Sequence, residues 1–223
     1  MTFAVSIVQC FAGQFPGGLF NLDTLKESSR KLLSPLVGLL AKIGIGPFSV
    51  TTIGLILTAA ASWFVWDGRY IAGVAFLFMG SILDAVDGEL ARRLDKVSKA
   101  GAIFDSSCDR IGEILIFGAI LAGRVGEAHH STVYLVPAAI GGSYMVSYLR
   151  ARAEGVNLSC SVGVFTRTER LVLLLAGLLA AGLWKTEAVV IMLAILVAGT
   201  WFTAGQRFIK VIRDGRGISL DSR

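Results

Sequence analysis

The strongest constraint on this chain is a series of apolar runs of bilayer length. Ile43 to Trp66, Ser131 to Leu149 and Ala188 to Gln206 contain no Asp, Glu, Lys or Arg. A helix needs about 20 mostly apolar residues to cross a hydrocarbon core of about 30 Å. Three further stretches complete the pattern. Tyr70 to Leu83 is uncharged but short, and its helical pattern continues through Asp84 toward Leu94. Ile103 to Gly123 is long enough, although its first half holds Asp105, Asp109, Arg110 and Glu113. Leu171 to Trp184 is short and must borrow residues at its ends. These runs predict an all-α integral membrane protein with six transmembrane helices. Composition agrees: 54% of the 223 residues are hydrophobic and only 17% charged, where soluble domains carry about 25% charge. A soluble globule with so little charge could not cover this much apolar surface. Disordered, collagenous and disulfide-scaffold classes are excluded as well.

Before the first span, Leu25, Leu32, Leu33, Leu36, Leu40 and Ile43 fall on a helical period, with Lys26, Glu27, Arg30 and Lys31 between them and Pro35 interrupting. The pattern predicts an amphipathic helix lying on the membrane surface; a solvated linker is the alternative. Met1 to Phe20 holds no Lys or Arg, so it lacks the positive region of a signal peptide and reads as irregular or interfacial. The expected organisation is an N-terminal segment over 1–42, a six-helix catalytic domain over 43–206 and a basic tail over 207–223. Of the 21 Lys and Arg residues, all but Arg69, Arg124 and Lys185 fall on the side that holds both termini. Cytoplasmic loops are the basic ones, so the expected location is the cell membrane with both termini in the cytoplasm. A net charge of +5 is then a topology signal, and no nucleic-acid partner is expected. Cys10, Cys108 and Cys160 show no CxxC spacing and read as free thiols. His129 and His130 read as solvated loop residues rather than metal ligands.

Four carboxylates stand where an apolar chain should have none. Intramembrane acids are costly, which makes each a functional candidate. Asp84 and Asp87 are spaced i, i+3 and share a helix face; Asp105 and Asp109 are spaced i, i+4 and share a face of the next helix. The connecting loop, about Asp95 to Ala100, is short enough to make the two helices antiparallel neighbours, so the four acids can converge. Their mutual repulsion calls for hard divalent cations, Mg²⁺ or Mn²⁺, and two ions side by side commonly serve phosphoryl chemistry. Ion pairing with Arg92, Arg93 and Arg110 is the alternative. Gly88 and Ala91 lie on the Asp84/Asp87 face and leave a hollow beside it, unless they serve close helix packing.

The segment Asp84-Ala-Val-Asp87-Gly88-Glu-Leu-Ala91-Arg92, followed by Gly101-Ala-Ile-Phe-Asp105-Ser-Ser-Cys-Asp109, resembles the pattern of the CDP-alcohol phosphotransferase (phosphatidyltransferase) family at all eight defining positions. Such enzymes displace CMP from a CDP-linked lipid with an alcohol. The resemblance implies that Asp84, Asp87 and Asp105 hold the metals. Asp109 would lie at the same site and act as general base. It further implies that Gly88, Ala91 and Arg92 line the CDP pocket, that Gly101 allows tight packing near it, and that the protein is a homodimer. Pro47 and Thr51 match a further nucleotide-pocket pattern, but Phe48 replaces its polar Asn or Asp.

Ser147-Tyr-Leu-Arg150-Ala-Arg152-Ala-Glu154 and Thr166-Arg167-Thr168-Glu169-Arg170 flank one loop. Four arginines suit an anionic soluble substrate, since arginine grips phosphate bidentately; topology anchoring of the loop is the alternative. This stretch is similar to the inositol-phosphate-using branch of the family, whose acceptor pocket matches Ser147, Arg150, Arg152, Arg167 and Arg170. The resemblance implies CDP-diacylglycerol or CDP-archaeol as donor and inositol 1-phosphate as acceptor. Glycerol 3-phosphate remains open as a rival acceptor. An ion-coupled transporter is the rival outside catalysis, although no internal repeat is present.

Overall fold

The computed structural model describes residues 34–160 and 162–216, and the described residues are helical with no strand. The helices are α1 (Ser34–Ile43), α2 (Pro47–Trp66), α3 (Tyr70–Arg93), α4 (Lys99–Ala122), the short α5 (Arg124–Ala128), α6 (Thr132–Glu154), α7 (Arg167–Leu183) and α8 (Glu187–Gly215). Four of them, α2, α3, α6 and α8, are long and apolar enough to cross a membrane. The two other long helices fall short of that measure for readable reasons. Helix α4 carries Lys99, Asp105, Asp109, Arg110 and Glu113. Helix α7 has 17 residues, about 26 Å of rise. It does borrow at its start, beginning at Arg167 rather than Leu171. The expectations for residues 1–33, including Cys10 and the first part of the amphipathic pattern, and for the end of the tail lie outside the described residues. Pro35 lies in the first turn of α1.

The chain divides into two compact units, Met1–Arg124 and Val125–Arg223. In the first, α2 packs against both α3 and α4. Small residues set that approach. A Cβ added to Gly80 would stand 3.1 Å from the Gly54 carbonyl oxygen and 3.2 Å from Thr58 Oγ1, and one added to Gly112 would stand 3.2 Å from Thr58 Cγ2. Backbone-to-backbone contact of this kind replaces the hydrophobic drive that lipid cannot supply between helices. Pro47 starts α2 at a position where its missing N–H goes unused.

Helix α1 is tied to this group by one apolar cluster: Val37, Val50, Val86 and Leu90 are each at most 1% exposed and pack together. Val86 lies between Asp84 and Asp87, and Val50 precedes Thr51. The cluster therefore backs the acid-bearing turn of α3. Arg93 reaches across Gly38 of α1 and donates to the Ser34 carbonyl at 3.4 Å.

In the second unit, α8 packs against α6 and α7. The loop between α6 and α7 is pinned to α8. Thr203 Oγ1 accepts from the Phe165 N–H at 3.0 Å. Gly163 has φ +120°, and a side chain there would run into Thr203. Only glycine meets both demands. His129, expected to be solvated, is half-buried and shares a 2.9 Å hydrogen bond with Thr186; exposed His130 lies edge-on to Tyr134. Cys108 and Cys160 are free and buried.

Val37→Ala should lower stability by about 2 kcal/mol, the usual scale for a truncated core side chain. Leu39→Ala, at a residue 54% exposed, should shift it by less than about 0.5 kcal/mol. Thermal unfolding in detergent micelles measures both.

Candidate functional site

The acid cluster is built by two helices and the turn between them. Helix α3 ends at Arg93, and its last carbonyls are satisfied locally: Leu94 N–H bonds Leu90 O at 2.9 Å and Lys96 N–H bonds Ala91 O at 2.9 Å. Asp95 takes a left-handed φ of 53°, which short polar side chains tolerate. Ser98 then caps α4, its Oγ accepting from the Gly101 N–H at 3.0 Å. The reversal takes five residues, 94–98.

The turn brings one carboxylate oxygen each of Asp84, Asp105 and Asp109 within 4.8 Å of one another, all three residues being half-buried. Asp87 takes a different position. It is 6% exposed, and its Oδ2 accepts from Thr51 Oγ1 at 2.5 Å. The same Thr51 hydroxyl has the Pro47 carbonyl 3.1 Å away. Thr51, expected in the nucleotide pocket, is thus a clamp on an acid, and Pro47 anchors the clamp.

The nearby arginines each have a partner outside the Asp84/Asp105/Asp109 trio. Arg92 donates Nε and Nη2 to Glu89 Oε2 at 3.2 and 2.7 Å. Arg93 faces α1. Arg110 pairs with Glu113 at 3.3 Å and reaches Asp109 only at 4.0 Å. Unit charges about 5 Å apart repel by on the order of 3 kcal/mol per pair at an effective dielectric near 20. Three oxygens at this spacing, with no nitrogen or sulfur donor among them, fit a hard divalent cation. Gly88 and Ala91 are half-buried on the last turns of α3. Gly101 has its own cap as near neighbour, with Ser98 Oγ 3.2 Å from where its Cβ would be.

The second unit gathers arginines. Arg150 and Arg152 are exposed on the last turns of α6, and Arg150 pairs with Glu154 at 2.9 Å. Ser147 Oγ donates to the Ser143 carbonyl at 3.1 Å. Arg167 and Arg170 lie on the first turn of α7, Arg167 half-buried and Arg170 only 3% exposed. Glu169 accepts from Thr166 Oγ1, so it braces the start of α7; Glu154 holds Arg150.

Arg207 was expected in the basic tail, yet it is 3% exposed inside the unit. Its Nε donates to Val162 O at 2.8 Å and its Nη1 to Val146 O at 2.6 Å. The sequence signal was faint: Arg207 falls one turn after Thr203 on the face that Thr200 and Thr203 bury.

Comparison with known proteins bears on both clusters. The family model for CDP-alcohol phosphatidyltransferase matches residues 45–204. The archaetidylinositol phosphate synthase of Methanothermobacter thermautotrophicus is 34% identical over 85% of this chain and 93% of its own length. The phosphatidylinositol phosphate synthase of Streptomyces avermitilis is 31% identical over 82% of this chain and 79% of its own. The Mycobacterium tuberculosis phosphatidylinositol phosphate synthase has been solved with CDP-DAG bound. It superposes with a TM-score of 0.75 at 25% identity, over 81% of this chain and 94% of that one. The same enzyme has been solved with manganese and citrate, with a TM-score of 0.74.

Thr51→Val keeps the side-chain shape and removes the donor to Asp87. Loss of such a supporting bond weakens metal sites by 10–100-fold. Calorimetric titration of the purified protein with Mn²⁺ should show at least a tenfold drop in affinity, with unfolding temperature unchanged within a few degrees.

Proposed function

The chain belongs to the CDP-alcohol phosphatidyltransferase family, and from that premise we propose that it transfers the phosphatidyl or archaetidyl group of a CDP-linked lipid to a hydroxyl of inositol 1-phosphate, releasing CMP. One observation carries the chemistry: three carboxylate oxygens within 4.8 Å on the two helices that bear the matching motif. Asp84, Asp87 and Asp105 would hold divalent cations, with Mg²⁺ as our reading and Mn²⁺ as the alternative. Bound there, such cations would neutralise charge on the pyrophosphate and on departing CMP.

The protein's own groups do the rest. Asp109 would accept the proton of the attacking hydroxyl. The hydroxyl oxygen forms a bond to the lipid-side phosphorus, the bond from that phosphorus to the bridging oxygen breaks, and CMP leaves with the electron pair. Gly88 and Ala91 would let the nucleotide approach α3, and Arg92, freed from Glu89, would meet its phosphates. Thr51 would hold Asp87 in place, and Gly101 would anchor the cap that starts α4.

For the acceptor, the gathering of Arg150, buried Arg170 and buried Arg207 in one unit supports a bound anion. Arg167, Arg152 and Ser147 complete the set, and a phosphomonoester matches the guanidinium geometry. Relatives named for both archaetidyl and phosphatidyl products support CDP-archaeol and CDP-diacylglycerol as donors. We further read α4 and α7 as spans, which gives six, with the termini and the reacting groups on the cytoplasmic side of the cell membrane. The 43–206 catalytic domain flanked by surface and tail segments, and the homodimer, belong to the same reading.

The test is CMP release by the purified protein with a CDP-lipid, Mg²⁺ and a panel of acceptors. Inositol 1-phosphate should support release, while inositol and serine should not. Asp109→Asn should reduce release at least 10³-fold, at the upper part of the usual range for a lost general base. Arg170→Gln should raise the KM for inositol 1-phosphate about tenfold while leaving that for the CDP-lipid unchanged. Release with glycerol 3-phosphate alone would replace the acceptor; no release with any acceptor and either lipid would refute the reaction.

A further inference from the structure

Phe48 is the position where this chain departs from the family pattern, and the structure shows what surrounds it. It stands in the first turn of α2 and is 48% exposed. Its ring is turned onto Phe104 of α4, with centroids 5.2 Å apart and planes inclined at 48°. Phe104 immediately precedes Asp105, and Thr51, one turn after Phe48, clamps Asp87. The pair therefore bridges two helices at the edge of the carboxylate cluster. The backbone beneath Phe48 is tied down, its carbonyl accepting from Thr52 Oγ1 at 2.8 Å. Beside it there is room, since a Cβ added to Gly46 would meet nothing within 4 Å.

We propose that Phe48, braced by Phe104, is an aromatic platform on which the pyrimidine base of the CDP-lipid stacks. The inference rests on the CDP-lipid reading given above and deepens it. An aromatic face binds a base through its π-surface and needs no hydrogen-bond donor or acceptor. Stacking would thus take over base binding at a position without a polar side chain. Because Phe104 is joined to Asp105 in sequence, the platform would fix the base at a set distance from the pyrophosphate-binding end. Phe48 acts on binding of the nucleotide, while the acids act on its phosphates.

The test separates base from phosphate. Purified protein in detergent with Mg²⁺ is titrated calorimetrically with CMP and, separately, with inorganic pyrophosphate. Phe48→Ala should weaken CMP about tenfold, equivalent to about 1.4 kcal/mol, and leave pyrophosphate binding within twofold of wild type. Phe104→Leu should weaken CMP by a smaller factor. Phe48→Tyr should retain wild-type CMP affinity. Equal CMP affinity in wild type and Phe48→Ala would overturn the platform. So would a parallel loss of CMP and pyrophosphate binding, which would mark Phe48 as a structural support. If either result came with a wild-type protein that releases CMP from CDP-lipid, the proposed function would stand without the platform. A wild-type protein that neither binds CMP nor releases it would overturn both.

Discussion

Three half-buried carboxylates within 4.8 Å of one another, at the ends of otherwise apolar helices, form an arrangement that a membrane protein does not reach by default. Each acid is costly near lipid, and each repels the others. Arg92 is held by Glu89, and Arg110 is shared between Glu113 and Asp109. A hard cation would offset that repulsion, and much else in the first unit helps to hold the cluster still. The five-residue turn, the Ser98 cap and the Thr51–Asp87 bond each fix one acid against another.

The packing behind the acids serves the same end. Val86, between Asp84 and Asp87, is fully buried against Val50 and Val37. One apolar cluster therefore supports both the acid-bearing turn and the helix that carries Thr51, and it extends to α1, the helix that the amphipathic pattern assigns to the membrane surface. Small residues let α2 approach both α3 and α4 closely. The second unit solves the opposite electrostatic problem. It buries Arg170 and Arg207 and gives Arg207 two backbone carbonyls as acceptors. The same two bonds tie α6 and the following loop to α8.

Much of this was legible in the amino-acid order because it rests on short-range geometry. The i, i+3 and i, i+4 spacings and the short connection between α3 and α4 point to the gathering of Asp84, Asp105 and Asp109, while Asp87 is turned to Thr51 instead. Helix ends were legible where charge or proline marks them, as at Pro47. What escaped depended on contacts distant in sequence. Arg207 followed an apolar run and so looked like tail; its burial comes from Gly163, Val146 and Val162, which no local pattern connects to it. The Thr51–Asp87 bond was not legible because its partners lie 36 residues apart. Phe104 drew no notice at all, since an apolar residue in an apolar helix becomes informative only when its neighbour Phe48 is known. The span count was the least settled element. The acids that define the site on α4 also take that helix below the apolar threshold, and α7 is one turn short.

The central claim is that the aspartates of α3 and α4 form a divalent-cation site. The direct measurement is an electron paramagnetic resonance titration of Mn²⁺ against purified wild-type protein, Asp84→Asn and Asp105→Asn, without substrate. The account predicts saturable Mn²⁺ binding to wild type and its loss in each variant, with all three proteins equally folded by circular dichroism. Undiminished saturable binding in both variants, or none in wild type, would contradict it.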